Sequence, residues 1–411
     1  MKLKIALHLL FCGIVQLCMS QNLPSLVTDR NINSTFSIIA YDKATQEWGI
    51  AVATNNIYVG SSTIYIEPGL GAFSVIAETK PLYAINGFKQ LQHGKTIEQA
   101  IVSTASTDSL ADYRQVAGID GKGHVYAMTG SSLKYWKGKA GHLTGESFVV
   151  MGNQLADNVL TSMAETFRTS QGTLAERLLQ SLIAGQKAGG QINGKQSAAL
   201  VVKGEKNEWF NQIDLRVDHS VQPFEDLQKL LNYHYGRIRL NQAMFAIRMK
   251  NIARGKLLLS QAEPMIEGWN GMYGKLAKAY LLLNDEKKAI SIISKAIKEN
   301  PYWKENLPAF YCLRHAPEIK LLLDETTFTL ADWNNAISIL IDLQKSAESI
   351  DLGQKILKQY PESSYTNYLL AKAVLLNQNK SSAKSYLEKA IQLDKANADA
   401  QRLLTQLKGA S

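Results

Sequence analysis

Residues 35–54 read TFSIIAYDKATQEWGIAVAT, two apolar-rich runs at 35–42 and 47–54 joined by the polar turn KATQ. This arrangement predicts a β-hairpin. Working outward, GAFSVIAET (71–79) predicts a third strand. Helical periodicity follows around Gly87 to Leu91 and Thr96 to Ser103, with Thr96 and Gln99 spaced as a capping box. RQVAGID, the turn GKG and HVYAMTG (114–130) predict a second hairpin. ESFVVMGNQL (146–155) predicts a strand running into a helix near Ala156 to Phe167, and a further helix covers Leu174 to Lys187. QSAALVVKG and QIDLRVDHS (196–204, 212–220) return to strand character. Strands at both ends with helices grouped between them predict an α+β layered sandwich.

Upstream of the hairpin, Lys2 and Lys4 precede an apolar run from Ile5 to Leu17, followed by Cys18 and Ser20 at positions suited to signal-peptidase cleavage. The run is shorter than the roughly 20 apolar residues that span a bilayer. Residues 1–20 therefore read as a signal peptide with the mature chain starting at Gln21, and the predicted localisation is secreted or periplasmic. Cys12 and Cys18 leave with the leader, so Cys312 remains alone and no internal disulfide is expected. QNLPSLVTDRNINS, residues 21–34, has no period of 2 or 3.6 and reads as a linker or pro-segment.

Downstream, a repeat emerges. With Asn270 as position 1, Tyr273, Leu276, Ala277, Tyr280, Ala289, Ile293, Ala296 and Pro301 occupy positions 4, 7, 8, 11, 20, 24, 27 and 32. That is the tetratricopeptide pattern. Ser364 opens a second copy through Leu370, Ala371, Val374, Ala383, Leu387 and Ala390. Leu330 opens a weaker one a full repeat earlier, with Trp333, Ala336, Leu340, Ile356 and Pro361. Tyr302 to Thr329 reads as a degraded helix pair between copies. Such repeats offer a concave surface to a protein or peptide partner, or serve as a structural appendage. The implied segments are 35–224, a sandwich; 225–267, a basic helical connector with Ile238, Met244, Phe245 and Met249 available for one face; and 268–411, tetratricopeptide-like helical repeats.

The 411-residue chain carries 45 basic and 36 acidic residues. Residues 21–220 balance at 17 against 17, whereas 221–411 hold 26 against 19, and Lys229 to Lys256 contains seven basic residues and no acidic one. This stretch reads as a solvated connector between domains or as a basic amphipathic helix that docks on an anionic surface, and an exported chain without a binding motif predicts no nucleic-acid partner. Membrane contact is expected only through the transient signal peptide. The sequence has no GxSxG elbow, Walker loop, HExxH or CxxC, and His93, His124, His142 and His219 are scattered without ligand spacing. Neither a metal nor a cofactor is expected. Cys312 lies in the helical half and reads as a buried apolar residue.

TFSIIAYD, WGIAVAT, GLGAFSVIAE, QVAGIDGKG, VVMGNQL, GKQSAAL and IDLRVDHS, in this order, resemble the bacterial domain of unknown function 1028 family, placed in the Ntn-hydrolase (N-terminal nucleophile) superfamily. The resemblance covers about 190 residues and implies a four-layer αββα sandwich. It also implies a chemistry. In that superfamily the first residue of the mature domain is the nucleophile and its own α-amine, with a pKa of about 7.7–8.0, is the base. Thr35 stands at that position, which implies an N-terminal-nucleophile hydrolase acting on a small amide or peptide-like substrate, once Ser34–Thr35 is cleaved.

Thr35 equally suits an ordinary strand position. The other reading of the whole chain is a non-catalytic binding or scaffold protein on a degenerate hydrolase fold. Ser37 shares the strand face of Thr35 and is positioned to shape a pocket. Asn153, after Gly152 at an expected strand-to-helix turn, is a candidate oxyanion donor or a turn residue. Glu78 is a candidate to orient the α-amine or grip a substrate ammonium. Asp214 and Arg216 share one strand face, as a buried ion pair or with Arg216 binding a substrate carboxylate. Gln191, after Gly189 and Gly190, departs from the aspartate that the resemblance implies there.

Overall fold

The computed structural model describes residues 34–409; the expected signal peptide and all of the 21–34 linker except Ser34 lie outside the described residues. The described chain divides between Leu231 and Asn232 into two compact units.

In the first unit, β1 (Thr35–Asp42) and β2 (Glu47–Thr54) form the expected hairpin, with Thr35 opposite Thr54 and Asp42 opposite Glu47. With β7 (Lys139–Gly145), β8 (Phe148–Leu155), β9 (Ser197–Gly204) and β10 (Ile213–Val217) they build a six-stranded antiparallel sheet in the order β10-β9-β2-β1-β8-β7. β3 (Ile64–Glu67), β4 (Gly71–Ala77), β5 (Arg114–Asp120) and β6 (Val125–Thr129) make a second sheet of four. The two sheets bury one core between them. Ile39, Ile50, Val52, Val149 and Met151 of the first meet Ala72, Ile76, Ala117 and Ile119 of the second. These are alternate positions along each strand. The remaining positions are apolar as well because each sheet also carries helices on its outer face.

On the four-stranded sheet, α1 (Leu82–Gln92) and α2 (Ile97–Ala105) pack Tyr83, Ile97 and Ile101 against Phe73 and Val116. On the six-stranded sheet lie α3 (Val159–Thr169) and α4 (Leu174–Lys187). A Cβ on Gly49 of β2 would stand 2.4 Å from Leu178 Cδ1, so the missing side chain is what lets α4 sit this close. The layers therefore run helices, sheet, sheet, helices. β3 and β7 have no sequence signature: β3 is four residues long, and β7 is an edge strand whose one large apolar residue, Leu143, is exposed.

The second unit is helical. α5 (Pro223–Arg248) crosses the division; α6 (Ile252–Met265), α7 (Asn270–Leu282), α8 (Glu286–Glu299), α9 (Leu330–Asp342), α10 (Ser346–Gln359), α11 (Ser364–Leu375), α12 (Lys380–Leu393) and α13 (Ala398–Gly409) follow. Four turns between paired helices each place one residue in the left-handed region: Lys250 (φ 61°), Asn284 (59°), Gln344 (61°) and Gln378 (58°). Lys250 precedes Asn284 by the same interval as Gln344 precedes Gln378. The pairing thus opens one pair ahead of Gly268, with the end of α5 and α6. Ala243, Gly255, Leu259 and Ala262 precede Ala277, Ala289, Ile293 and Ala296 by that same interval, and all are buried. Gly255 stands where the following pair has Ala289. A Cβ there would lie 2.5 Å from Ile247 Cγ1, so glycine brings the two helices together.

The expected apolar face of the connector does not form. Met244 is buried and Ile238 half-buried, whereas Phe245 and Met249 are exposed. Tyr302 to Thr329 holds a 3₁₀ stretch (Pro301–Leu313) and one short helix (Pro317–Lys320), burying Trp303, Phe310 and Cys312. Among the described residues no helix is long and apolar enough to cross a membrane.

Candidate functional site

At one end of the six-stranded sheet the register sets a polar row across four strands, Asn153, Thr35, Thr54 and Ser197, in an otherwise apolar layer. All four are buried. Thr35 and Thr54 sit at one heavily hydrogen-bonded peptide group, while Asn153 donates to Gln115 and Ser197 to the Asn56 carbonyl. The Ser34 carbonyl oxygen accepts from Thr54 Oγ1 at 2.7 Å, from Gln191 Nε2 at 2.7 Å and from the Asn55 N–H at 3.3 Å. A buried peptide oxygen ordinarily takes one or two such bonds, from backbone. Here two side chains from distant parts of the sequence converge on the bond that joins Ser34 to Thr35.

The hydroxyl of Thr35 lies 3.1 Å from Thr54 Oγ1. Thr54 has one hydroxyl proton, and it goes to the Ser34 oxygen, which can only accept. Along this contact Thr35 O–H therefore donates to Thr54, giving a relay from Thr35 through Thr54 to the Ser34 carbonyl. The Asn56 N–H, 3.3 Å from Thr54 Oγ1, helps fix that hydroxyl.

Gln191 reaches the row because Gly189 (φ 113°) and Gly190 (φ 54°) turn the chain back after α4. The Ala156 N–H then donates to the Gly190 carbonyl and the Ile192 N–H to the Gln154 carbonyl, which seats Gln191 beside the end of β8. An aspartate in this place has no donor for the Ser34 oxygen; the glutamine amide supplies one. The signal for Gln191 in the sequence was the glycine pair, but its partner was not legible.

Asn153 lies inside β8, not at a strand-to-helix turn as expected; the strand continues to Leu155 because its end pairs with Gln191. Its amide nitrogen donates to Gln115 Oε1 at 2.9 Å, while its Oδ1 is buried without a hydrogen bond. Gln115, fully buried on β5, has no sequence signal. It donates to the Gly152 and Gly141 carbonyls at 2.9 and 3.0 Å and so ties the two sheets together beside Asn153. Ser37, fully buried, makes a second tie across the sheets, 3.1 Å from Ser74 Oγ.

Glu78 lies just past β4, after Ala77, whose φ of 68° is rare for a residue with a Cβ. Its side chain is 8% exposed, and neither carboxylate oxygen has a hydrogen bond; the neighbouring cation, Arg114, stands 3.8 Å away. Arg114 is engaged elsewhere, donating to Asp108 at 2.9 Å and to the Glu78 carbonyl at 2.6 Å. Burial by itself would raise the Asp108 carboxyl, but hydrogen bonds from Arg114 and Lys80 outweigh it and hold the group below the usual carboxylate range.

Arg216 is not part of this constellation. It sits in the register row of Ser37, separated by β9 and β2, about 14 Å away at ordinary strand spacing. It pairs with Asp214 at 3.1 Å, and the pair is exposed rather than buried because β10 is the sheet edge. Among the described residues no cluster of His, Cys, Asp or Glu could hold a metal ion.

Residues 35–227 match the model of a family described as a family of unknown function, DUF1028. The chain is also similar to the crystal structure of protein SPO2555 from Silicibacter pomeroyi, described under the same DUF1028 family model, at 32% identity over 48% of this chain and 84% of that one, with a TM-score of 0.44. The chain belongs to the DUF1028 family through this domain. No curated protein matches it. The DUF1028 match spans every residue of the polar row and stops within α5, so the helical pairs lie beyond it.

Proposed function

We propose that the DUF1028 domain is an N-terminal-nucleophile amide hydrolase of the αββα type, with Thr35 as nucleophile, and that it frees Thr35 by its own chemistry. The observation that carries this reading is the Ser34 carbonyl, which accepts two side-chain hydrogen bonds of 2.7 Å immediately before the candidate nucleophile.

The step begins with Thr35 Oγ1 adding to the Ser34 carbonyl carbon. Charge grows on the carbonyl oxygen, where Thr54, Gln191 and the Asn55 N–H already point, so the donors need no reorganisation. The C–N bond then breaks. The hydroxyl proton ends on the Thr35 nitrogen, an ester joins Ser34 to Oγ1, and water hydrolyses that ester to a Ser34 carboxylate and a free Thr35. The liberated α-amine, near pKa 7.7–8.0, is the base for the same addition to a substrate amide.

The unsatisfied atoms at the row support this reading, because Asn153 Oδ1, Gln191 Oε1 and Asn55 Oδ1 are acceptors, against one unsatisfied hydroxyl, Ser34 Oγ, which leaves with the released segment. Once that segment has gone, these acceptors call for donors. A new α-ammonium supplies three. Gln191 serves both states of the chain, with its amide nitrogen on the Ser34 oxygen before cleavage and its Oε1 available to the ammonium afterwards.

The helical pairs supply a separate, tetratricopeptide-type partner site. A groove of about 960 Å³ is lined by Leu281 and Leu375 and by charges of both signs, Lys250, Lys372 and Arg402 with Asp342 and Asp399, which suits a peptide carrying apolar and mixed-charge side chains.

N-terminal sequencing and intact-mass measurement of the purified protein test the catalytic reading. A chain beginning at Thr35 is expected. A chain that persists uncleaved before Thr35 under all refolding and storage conditions overturns the hydrolase and leaves a binding protein on the same fold.

A further inference from the structure

Three of the four left-handed turns in the helical unit are polar. Asn284-Asp285-Glu286, Gln344-Lys345-Ser346 and Gln378-Asn379-Lys380 have no exposed large apolar residue within a helical turn on either side. The turn between α5 and α6 differs. Phe245 and Met249 are each 65% exposed there, Leu257 59% and Ile252 41%. All four lie within about two helical turns of Lys250, at the tip of the hairpin.

The charge at this tip has one sign. No acidic residue occurs between Asp226 and Glu263. Arg248 pairs with Asp342 at 3.6 Å, but Lys250, Arg254 and Lys256 enter no ion pair among the described residues. The other turns share the same backbone geometry, so the pairing of helices does not require this composition. A helix–helix turn is convex, which suits insertion into a surface more than reception of a side chain in a pocket.

We propose that the α5–α6 tip is a docking element for an anionic phospholipid surface, with Phe245, Met249, Ile252 and Leu257 entering the headgroup boundary and Arg254 and Lys256 facing the phosphates. Apolar insertion and electrostatic attraction act together at such interfaces. The element is independent of the chemistry at Thr35. Each basic residue near an anionic surface is worth roughly fivefold in partitioning, an effect screened away as the Debye length contracts from about 10 Å at 0.1 M salt to about 3 Å at 1 M.

The test is co-sedimentation of the full chain with vesicles of phosphatidylcholine alone and of phosphatidylcholine and phosphatidylglycerol mixed seven to three, at low and high salt, for wild type, R254E/K256E and F245S/L257S. All three proteins are identical ahead of Phe245, so any lipid affinity of the leader cancels. Wild type is expected to prefer the anionic vesicles at least tenfold at low salt and to lose that preference at high salt. R254E/K256E is expected to lower anionic binding at least thirtyfold, and F245S/L257S about tenfold or more. Every substituted side chain is exposed, so helical circular dichroism should be unchanged. Equal binding to both vesicle types, or variants that bind as wild type does, overturns the proposal, as does binding of the tip to a co-purifying protein in place of vesicles.

Discussion

Replacing Gln191 with alanine or glutamate separates a hydrogen bond that merely holds the chain from one that stabilises a developing charge. In the uncleaved chain Gln191 Nε2 lies 2.7 Å from the Ser34 oxygen, matched by Thr54 Oγ1 at 2.7 Å, while the Asn55 N–H at 3.3 Å is the weaker donor. Removing one preorganised donor of this kind costs about 2.7–4 kcal/mol in the transition state, or roughly 10²–10³ in rate. Gln191→Ala should therefore slow release of the segment ending at Ser34 by about that factor. Its stability should fall by only about 1–3 kcal/mol, the cost of lost hydrogen bonding at a buried site.

Gln191→Glu has a distinct signature. At neutral pH its carboxylate turns an acceptor toward the Ser34 oxygen and blocks cleavage. Burial disfavours the charged form, so its pKa lies above the ordinary glutamate value of about 4.3. The protonated acid is the form that donates, so cleavage should rise as pH falls through that raised pKa, whereas wild type should show no gain over the same interval. The assay is intact mass against time for freshly refolded protein across pH 4 to 8. The reasoning is refuted if Gln191→Ala releases Thr35 as fast as wild type, or if the glutamate variant is insensitive to pH.

Other outcomes follow from the same contacts. Thr35→Ala should leave the Ser34–Thr35 bond intact by mass, while Thr35→Ser should still cleave. Gln115→Leu should lower stability by about 2–4 kcal/mol in a urea titration, since it strands the Gly141 and Gly152 carbonyls between the sheets. Asp108→Asn removes the carboxylate hydrogen-bonded to the Arg114 guanidinium, whose side chain is 6% exposed, leaving it only Glu78 at 3.8 Å, and should cost about 3 kcal/mol by thermal denaturation. Because the folded Asp108 pKa is depressed, its contribution should be complete above the unfolded value of about 3.9 and be lost as pH falls toward the folded value. Cys312, buried and with its thiol pushed up to about 11, should resist thiol reagents at pH 8 until the helical unit unfolds.

Much of the fold was legible where local chemistry and tertiary environment agree. The 35–54 hairpin pairs in the register its turn requires, and the Leu174 to Lys187 helix keeps its expected bounds behind a Thr173–Glu176 capping box. Legibility failed where an element owes its form to a neighbour. β7 is a strand because β8 offers an edge, and Gly255 lies in a helix contact because Ile247 needs the space of its missing Cβ. Asn153 was assigned to a turn because nothing local shows that Gln191 extends β8 through Leu155.

The site divides in the same way. Thr35 at the head of the first strand, the glycines before Gln191, and the acid-free stretch ahead of Glu263 are properties of the chain as written. Their partners are not. Thr54, Gln191 and Ser34 are brought together by strand register and a glycine turn, over separations of 20 and 157 residues, which no local periodicity encodes. Likewise the sequence determined that residues 245–257 are apolar and basic, but only the packing of helices decided which apolar side chains are buried and which face water. A hydrogen bond or an exposed face is a relation between distant elements, so it exists only once those elements have docked.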